Sequence, residues 1–283
     1  MQRIFVGDVQ GCVDELDLLI ERAHVEFGGD FELWLVGDLV NRGPDNLGVL
    51  RRVRALRDAG RARVVLGNHE TGLLMKALGL RARSASDTID DVLGARDAQE
   101  WLDWLRGLPL CETGDIAGQR FAMVHAAAHP DWTLDELAER AHRASERLRR
   151  GGPDELARFL SADGPSRDTD RDVLDRITRC RSVGADGAWS DALPDAAADA
   201  WHARWSQRGH DYGVVYGHWA LQGLHVAPGL RGLDTGCVHH GRDHDGFLTA
   251  WLPEASPEGA RAPFDAPDDR LWQVPALRRY YPG

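Results

Sequence analysis

The sequence of 283 residues predicts an α/β layered domain. Short apolar runs typical of strands alternate with segments whose apolar residues recur at helical spacing. Residues 1–252 carry this alternation, and we expect them to form one domain. With 43% apolar and 28% charged residues, the chain has the composition of a globular protein and ample length for a sizeable core.

The amino-terminal half is predicted to contain four strands, each followed by a helix. Strand 4–6 leads into helix 12–26, in which Leu16, Leu19 and Ala23 share one face. The further elements expected in this half are strand 33–36, helix 46–58, strand 64–66, helices 70–78 and 98–105, and strand 121–124.

The carboxyl-terminal half is predicted to be less regular. Its expected elements are helices 134–150, 154–160, 170–177 and 195–205, and strands 214–216, 230–233 and 247–252. The segment 151–213 is rich in Gly, Pro, Asp and Ala, which favours a mostly helical insertion over the site rather than a separate domain. The tail, 253–283, is rich in proline and charge and is expected to be mostly irregular.

Charge and hydropathy argue against two classes of partner. The 34 basic and 45 acidic residues give a formal charge of -11, which disfavours a stable, nonspecific complex with nucleic acid. No basic amphipathic stretch favours a membrane surface. The longest run without a charged residue, 212–230, is interrupted by glycines, two histidines and a proline, so it does not predict a membrane span.

The amino terminus and the cysteines favour a cytoplasmic location. The chain begins Met1-Gln2-Arg3 and passes directly into a predicted strand, without a signal-peptide pattern. The four cysteines, at positions 12, 111, 180 and 237, are far apart and include no C-x-x-C pair. We interpret them, including Cys12 at the start of a helix, as reduced thiols that pack in the interior.

A polar side chain follows each of five predicted strands, at the end where α/β sheets place their ligand sites. These residues are Asp8, Asp38, Asn68, His125 and His218. Any one of them is typical of a turn or a helix cap. Together they favour a site for two divalent cations, since oxygen ligands mixed with imidazole suit Mn²⁺, Fe²⁺, Co²⁺ or Zn²⁺ better than Ca²⁺.

The motifs around these residues resemble those of the calcineurin-like metallophosphoesterases, in that family's order. They are G-D-V-Q-G at 7–11, G-D-L-V-N-R-G-P at 37–44, G-N-H-E at 67–70, His125-Ala126 and Gly217-His218. Over residues 3–252 the chain is similar, more narrowly, to the bacterial symmetrical diadenosine tetraphosphatases. The segments that carry this closer similarity are 104–110, 125–132, 177–181, 217–220 and 233–237. The family implies a β-sandwich flanked by helices.

The resemblance also implies a role for each ligand candidate. The implied ligands are Asp38 as the bridge between two metals, Asp8 and Gln10 in one site, and Asn68, His125 and His218 in the other. The ions, Mn²⁺ or Co²⁺ with Fe and Zn as alternatives, would activate a hydroxide for attack on phosphorus. His69, as the catalytic residue, would protonate the leaving oxygen.

Three residues depart from patterns common in the superfamily. Gln10 replaces the histidine of D-x-H, and because an amide oxygen binds a divalent cation more weakly than imidazole, we expect one weaker site. Asn41 replaces an aspartate that orients the catalytic histidine in the phosphoprotein phosphatase branch, so Asp45 or another carboxylate is expected to orient His69. Ala220 replaces the second histidine of G-H-x-H, an absence that this branch shares.

Three arginines are expected to bind phosphate oxygens by resemblance. Arg42 lies in the second motif loop, where a guanidinium can bind two oxygens at once. Arg179 and Arg181 are two residues apart, so an extended segment would direct both to one face. For each of the three arginines, the alternative to phosphate binding is a place on a solvated charged surface.

The roles of other polar and aromatic residues near the motifs stay open. Asp234 is expected either to hold a ligand histidine by a hydrogen bond or to cap a turn. His239, His240 and His244 suggest a third metal site, but the family has a shorter segment there, and we predict a solvent-exposed loop. Among ten tryptophans, Trp132 and Trp219 are candidates for stacking on a base.

The sequence therefore predicts an enzyme that hydrolyses diadenosine tetraphosphate symmetrically to two ADP. Related dinucleoside polyphosphates and dinucleoside-capped RNA 5' ends are expected as further substrates. The Glu-rich box of the enzymes that cleave this compound asymmetrically is not found. Two alternatives remain: a serine/threonine phosphoprotein phosphatase, and a nucleotide-binding sensor without activity, which Gln10 suggests.

Overall fold

The computed structural model describes residues 1–161, 169–242, 244–253, 263–265 and 270–280. Its helices are α1 (Val13–Phe27), α2 (Asn46–Asp58), α3 (Asn68–Ala77), α4 (Asp90–Leu93), α5 (Ala98–Arg106), α6 (Leu134–Arg150), α7 (Pro153–Ser161), α8 (Thr169–Arg179) and α9 (Trp201–Ser206). Short 3₁₀ helices span Ala197–Asp199, Ala220–Gln222 and Cys237–His239. Within the described ranges, no helix is long and apolar enough to cross a bilayer.

The strands form two main sheets and one small hairpin. They are β1 (Gln2–Val6), β2 (Phe31–Leu35), β3 (Ala62–Val64), β4 (Cys111–Ile116), β5 (Gln119–Val124), β6 (Ser182–Val183), β7 (Trp189–Ser190), β8 (Tyr212–Tyr216), β9 (His225–Ala227), β10 (Leu230–Gly232), β11 (Asp234–Thr235), β12 (Phe247–Trp251) and β13 (Leu271–Pro275). The first sheet has the order β11-β12-β1-β2-β3, with β13 also paired to β12. The second has the order β4-β5-β8-β10-β9, and β6 pairs with β7.

Parallel pairing at the centre of each sheet sets the position of the site. β1, β2 and β3 are parallel neighbours, and so are β5, β8 and β10. Each parallel set therefore presents its carboxyl ends at one edge of its sheet. The turns after β1, β2, β3, β5 and β8 carry the five polar residues singled out in the sequence.

The core lies between the two sheets and beneath the helices. Along β1, Phe5 faces the second sheet while Ile4 and Val6 face the helices, as the two-residue period of a strand dictates. Phe5 meets Phe121 of β5 edge to face, with ring centroids 5.3 Å apart. Trp34 of β2 joins the same contact. The predicted α/β class, with a β-sandwich flanked by helices, is confirmed.

Local sequence patterns predicted the helices more accurately than the outer strands. Helices 46–58 and 134–150 are confirmed at both ends, and Thr133 with Glu136 forms a capping box at the start of α6. The predicted helix 195–205 is instead a 3₁₀ turn followed by α9. β13 lies in the tail that we expected to be mostly irregular, where the alternation of buried Trp272 and Val274 fits an edge strand.

Candidate metal centre

Side chains from both sheets converge at the carboxyl ends of the strands. Asn68 Oδ1 lies 2.7 Å from Nδ1 of His218 and 2.9 Å from Nε2 of His125. Asp38 Oδ1 lies 3.4 Å from the same nitrogen of His125. The first sheet supplies Asp38 and Asn68 and the second supplies both histidines, so packing of the two sheets assembles this cluster.

The backbone around the cluster adopts conformations that are uncommon for side-chain-bearing residues. In the described ranges, six non-glycine residues have positive φ, and five of them lie in the motif loops. These five are Gln10, Asp38, Asn41, Arg42 and His218. Such conformations concentrate at functional sites because the surrounding structure holds them against their steric cost.

Two glycines let carboxylates approach the backbone. A Cβ on Gly67 would collide with Oδ1 of Asp38, and a Cβ on Gly217 would collide with Oδ1 of Asp8. Both oxygens also accept hydrogen bonds from the next turn: Asp38 Oδ1 from the N–H of His69 at 2.9 Å, and Asp8 Oδ1 from the N–H of His218 at 3.1 Å. The glycines of the G-N and G-H motifs thus each make room for an aspartate from another motif.

The hydrogen bonds of the two histidines fix which ring nitrogens face the cluster. Nδ1 of His125 lies 2.8 Å from the carbonyl oxygen of Val36, and Nε2 of His218 lies 3.0 Å from that of Arg179. Because a carbonyl oxygen only accepts, these nitrogens carry the hydrogen in the neutral rings. Burial lowers the pKa of His218 well below its usual value, which keeps that ring neutral.

This arrangement fits a cation. The remaining nitrogens of His125 and His218 point at Asn68 Oδ1, and in the neutral rings all three of these atoms are acceptors. One atom each of Asp38, His125 and His218 lie within 4.8 Å of one another. Imidazole nitrogens and oxygens are the donor set of Mn²⁺, Co²⁺, Fe and Zn²⁺ sites.

Three buried carboxylates add negative charge to the same region. Burial raises the pKa of Asp8 well above its usual value, and the neighbouring Asp234 and Asp38 raise it further. Burial also raises the pKa of Asp234 to about 6. For Asp38, burial acts in the same direction, but His125 and His69 outweigh it and lower the pKa well below its usual range. Divalent cations would relieve this crowding of like charges.

Of the two alternatives for Asp234, its contacts fit the capping of a turn and not a hydrogen bond to a ligand histidine. Its Oδ1 accepts the N–H of Gly236 at 3.0 Å, and its carboxylate lies against Asp8. The outward nitrogens of both cluster histidines bond backbone carbonyls instead, so neither uses Asp234. Asp234 therefore caps a turn and also lies beside Asp8, a candidate ligand.

The side chains of Gln10 and His69 lie next to each other, beside Asp38. Nε2 of His69 lies 3.4 Å from Nε2 of Gln10 and 3.7 Å from Oδ2 of Asp38. Burial lowers the pKa of His69, an effect that Asp38 opposes and the nearby Arg42 reinforces. Nδ1 of His69 is buried without a hydrogen-bond partner in the described part of the chain.

Of the carboxylates expected to orient His69, Asp45 does not reach it. Asp45 caps α2, where its Oδ1 accepts the N–H of Gly48 at 2.7 Å. Asn41 does not reach the ring either, because its Nδ2 donates to Asp87 at 3.0 Å. The backbone N–H of His69, bonded to Asp38, is the contact that positions this residue.

The three arginines do not act alike. Arg181 lies in the cavity over the cluster and donates to the carbonyl oxygen of Asp191 at 2.7 Å. Arg179 instead directs its guanidinium to the carboxylate of Asp191, at 2.6 Å. The expectation that both share one face is wrong because α8 continues through Arg179. Arg42 donates to the carbonyl oxygen of Ser86 at 2.8 Å, on the flank of the site.

A cavity of about 520 Å³ opens over the cluster. Its polar lining includes Gln10, Asp38, Asn68, His69, Arg181, His218, Asp234, His239, Arg242 and His244, and its apolar lining includes Leu193, Trp219, Ala220 and Leu221. Of the two tryptophans considered for base stacking, Trp219 thus lies in the cavity. Trp132 instead stacks on His129, with ring centroids 4.5 Å apart.

The prediction of a solvent-exposed histidine loop is wrong, because all three histidines are half-buried. His239 and His244 line the cavity, and burial lowers the pKa of His239 to about 4. Gly236, at φ 66°, turns the chain after β11 in a left-handed conformation and directs the loop over the site. His240 is half-buried and accepts the N–H of Gly246 at 3.1 Å.

Glu70 is a residue of the site that the sequence did not reveal. Its fully buried carboxylate accepts four backbone N–H groups, from Gly67, Asp38, Leu39 and Val40, at 2.8 to 3.2 Å. It therefore holds the loop that carries Asp38 onto the start of α3. The only sequence feature that marked Glu70 was its position in G-N-H-E. An acidic residue in the first turn of a helix is common without any such role.

Comparisons with known proteins agree on one family. Residues 1–244 match the calcineurin-like phosphoesterase family. The chain is 37% identical over 267 residues to a symmetrical bis(5'-nucleosyl)-tetraphosphatase of Ralstonia nicotianae, with 90% of each chain covered. It is 40% identical over 258 residues to the protein of the same name from Chromohalobacter salexigens, covering 85% of this chain and 92% of that one.

Two solved structures extend the comparison. A crystal structure of a provisionally assigned diadenosine tetraphosphatase is 26% identical, with a TM-score of 0.60 and coverage of 97% of this chain and 93% of that one. A serine/threonine phosphatase from Saccharomyces cerevisiae is 14% identical, with a TM-score of 0.54 over 97% of this chain and 79% of that one. The second likeness extends to the fold alone.

Proposed function

The chain belongs to the calcineurin-like phosphoesterase family, among the symmetrical bis(5'-nucleosyl)-tetraphosphatases, and on this basis we propose that it hydrolyses diadenosine tetraphosphate to two ADP. Water adds to one of the two central phosphorus atoms, and the anhydride bond between the second and third phosphates breaks. The similarity to relatives of that name over 90% of the chain is the observation that carries the substrate assignment.

The residues for two divalent ions would divide as the family pattern implies. Asp38 would bridge the ions, Asp8 and Gln10 would hold one, and Asn68, His125 and His218 would hold the other. Bound Mn²⁺ or Co²⁺, with Fe and Zn as alternatives, would lower the pKa of a water molecule and neutralise charge on the phosphates. The three acceptors that meet at Asn68 Oδ1 support this assignment.

Other side chains would bind the substrate and move a proton. Arg181, whose guanidinium lies in the cavity, would bind phosphate oxygens, with Arg42 and Arg179 acting from the flanks. His69 would give a proton to the leaving ADP oxygen from Nε2, the nitrogen that faces Asp38. Since burial lowers the pKa of His69, the negative charge of the bound polyphosphate is needed to favour its protonated form.

The products of the reaction test the proposal. Purified protein with Mn²⁺ and diadenosine tetraphosphate should yield ADP as the only nucleotide, separated by anion-exchange chromatography. AMP with ATP would contradict symmetrical cleavage. Faster turnover of a phosphopeptide would favour a phosphoprotein phosphatase, and nucleotide binding without hydrolysis in excess Mn²⁺ or Co²⁺ would favour a sensor. His69→Asn serves as the control with an intact ligand set.

The same chemistry would extend to other dinucleoside polyphosphates and to RNA that carries a dinucleoside cap at its 5' end. In each, a polyphosphate joins two nucleosides, and only the phosphates need to reach the metal centre. We place this activity in the cytoplasm. The four free cysteines, Cys12, Cys111, Cys180 and Cys237, support a reducing compartment.

A further inference from the structure

A second group of potential metal ligands lies where α1 begins. The sulfur atoms of Cys12 and Cys237 and a carboxylate oxygen of Glu15 lie within 4.8 Å of one another. Cys12 and Glu15 are completely buried, and Cys237 is 2% exposed. None of the three belongs to the ligands of the metal centre described above.

The carboxylate of Glu15 is only half satisfied. Its Oε1 accepts the N–H of Leu277 at 2.7 Å and the hydroxyl of Tyr280 at 2.5 Å. Its Oε2 is buried and has no hydrogen-bond partner among the described residues. A buried carboxylate oxygen without a donor is costly unless a cation or a proton compensates it.

We propose that Cys12, Glu15 and Cys237 bind a Zn²⁺ ion that serves a structural role. Two sulfurs and a carboxylate oxygen are three of the ligands that tetrahedral zinc takes, and thiolates select zinc over Mn²⁺ or Mg²⁺. The hydroxyl of Tyr280 donates to Oε1 of the same carboxylate at 2.5 Å, which leaves Oε2 for the ion. A divalent ion would also compensate Oε2 of Glu15.

The position of the three ligands indicates what the ion would hold together. Cys12 follows the loop of Gln10, and Cys237 follows the turn of Asp234, so the site would join two loops that line the cavity. Through Glu15, it would also secure residues 277–280 against α1. This clamp is independent of which substrate the enzyme hydrolyses.

Binding should release protons. The contact with Cys12 and burial raise the pKa of the Cys237 thiol far above its usual value, so that thiol is neutral without a cation. Zinc binds the thiolate form, and its affinity should therefore fall as pH is lowered. A disulfide between the same cysteines would exclude the ion, but complete burial shields Cys12 from oxidants.

Cobalt distinguishes this site from the metal centre. Thiolate ligands give Co²⁺ an intense near-ultraviolet charge-transfer band, whereas the oxygen and imidazole ligands of the metal centre do not. Full-length protein loaded with Co²⁺ should show this band, and Cys237→Ser should lose it. Cys111→Ser, which removes a half-buried thiol elsewhere, should keep the band. Absence of the band in the wild-type protein would overturn the proposal.

A second measurement counts the bound zinc directly. After unbound metal is removed, the wild-type protein loaded with zinc should hold one equivalent more than Cys237→Ser, as measured by inductively coupled plasma mass spectrometry. Glu15→Gln, which keeps both sulfurs, should weaken binding of that equivalent at least 10-fold. Equal zinc contents in the wild type and in Cys237→Ser would show that these thiols bind no metal.

Discussion

The buried carboxylate of Glu70 is the contact on which the position of Asp38 depends most directly. Oε2 accepts the N–H groups of Gly67 and Asp38, both at 2.9 Å, and Oε1 accepts those of Leu39 and Val40 at 2.8 and 3.2 Å. Glu70→Gln is nearly isosteric but replaces one oxygen by an NH₂ group. In either orientation of the amide, its NH₂ group faces two backbone N–H groups, and neither of those hydrogen bonds can form.

The cost of this change can be worked from those four bonds. Burial raises the pKa of Glu70 to about 7, so its carboxylate is ionised above that pH. A hydrogen bond to a charged group contributes about 1.5–3 kcal/mol, so the loss of two then predicts a destabilisation of about 3–6 kcal/mol. With a urea m-value of about 3 kcal/mol/M, the unfolding midpoint should fall by about 1–2 M. The loop of Asp38 should also loosen, which weakens binding of Mn²⁺ because a ligand is then less well positioned.

Urea unfolding followed by tryptophan fluorescence, together with a Mn²⁺ titration, measures both effects. Thr71→Val in the same helix is the matched control, because it removes one bond between neutral groups, from Oγ1 to the carbonyl oxygen of Asn68 at 2.9 Å. It should cost about 1 kcal/mol. If the free energy of unfolding of Glu70→Gln lies within 1 kcal/mol of the wild-type value and Mn²⁺ binds equally well, the four hydrogen bonds of Glu70 do not hold the loop of Asp38 and the reasoning is refuted.

Three further predictions concern the metal site, the phosphate site and the insertion. Gln10→His should tighten the weaker metal site, because imidazole binds divalent cations better than an amide does; unchanged affinity in a metal titration would remove Gln10 from the ligands. Arg181→Ala should raise KM for the dinucleotide about 10- to 100-fold, whereas Arg179→Ala, whose guanidinium is held by a carboxylate, should change KM less in the same steady-state assay. Burial lowers the pKa of His202 from 6.5 to about 4, and its Nε2 accepts from Gln222 at 2.7 Å. The neutral ring therefore stabilises the fold above pH 6.5, and this contribution is lost as pH falls towards 4. Urea midpoints at pH 5 and 7.5 should differ less in His202→Gln than in the wild type.

Most helices and central strands could be predicted because their signals are local. The helix 134–150 has an apolar stripe and a capping residue, Thr133, within its own sequence. β4 was missed because it is half exposed and contains Gly114, so little in Cys111–Ile116 distinguishes it from a loop. The β-sandwich came from the family resemblance, and no local pattern indicates that β1 and β5 lie in different, facing sheets.

The convergence of the five polar residues was predictable for a similar reason. Each follows a strand, and the carboxyl ends of parallel strands lie at one edge of a sheet regardless of how the helices pack. The arginines differ, since the direction of Arg181 depends on where α8 ends. Glu70 could not be assigned its role either, because its four donors come from residues 31 positions away and from its own turn, and only the folded chain brings them together.

The histidine loop shows a limit of polarity as a guide to exposure. The loop was predicted to be solvent-exposed because the family has a shorter segment there, and the rule that charged and glycine-rich segments are exposed agrees with that prediction for His239 and His244. That rule holds where the interior beneath a loop is apolar. Here the surface beneath it is a cavity lined by carboxylates, imidazoles and a guanidinium, against which a polar loop can be buried at little cost. A polar segment that follows a ligand-bearing strand is therefore a candidate for the wall of the site.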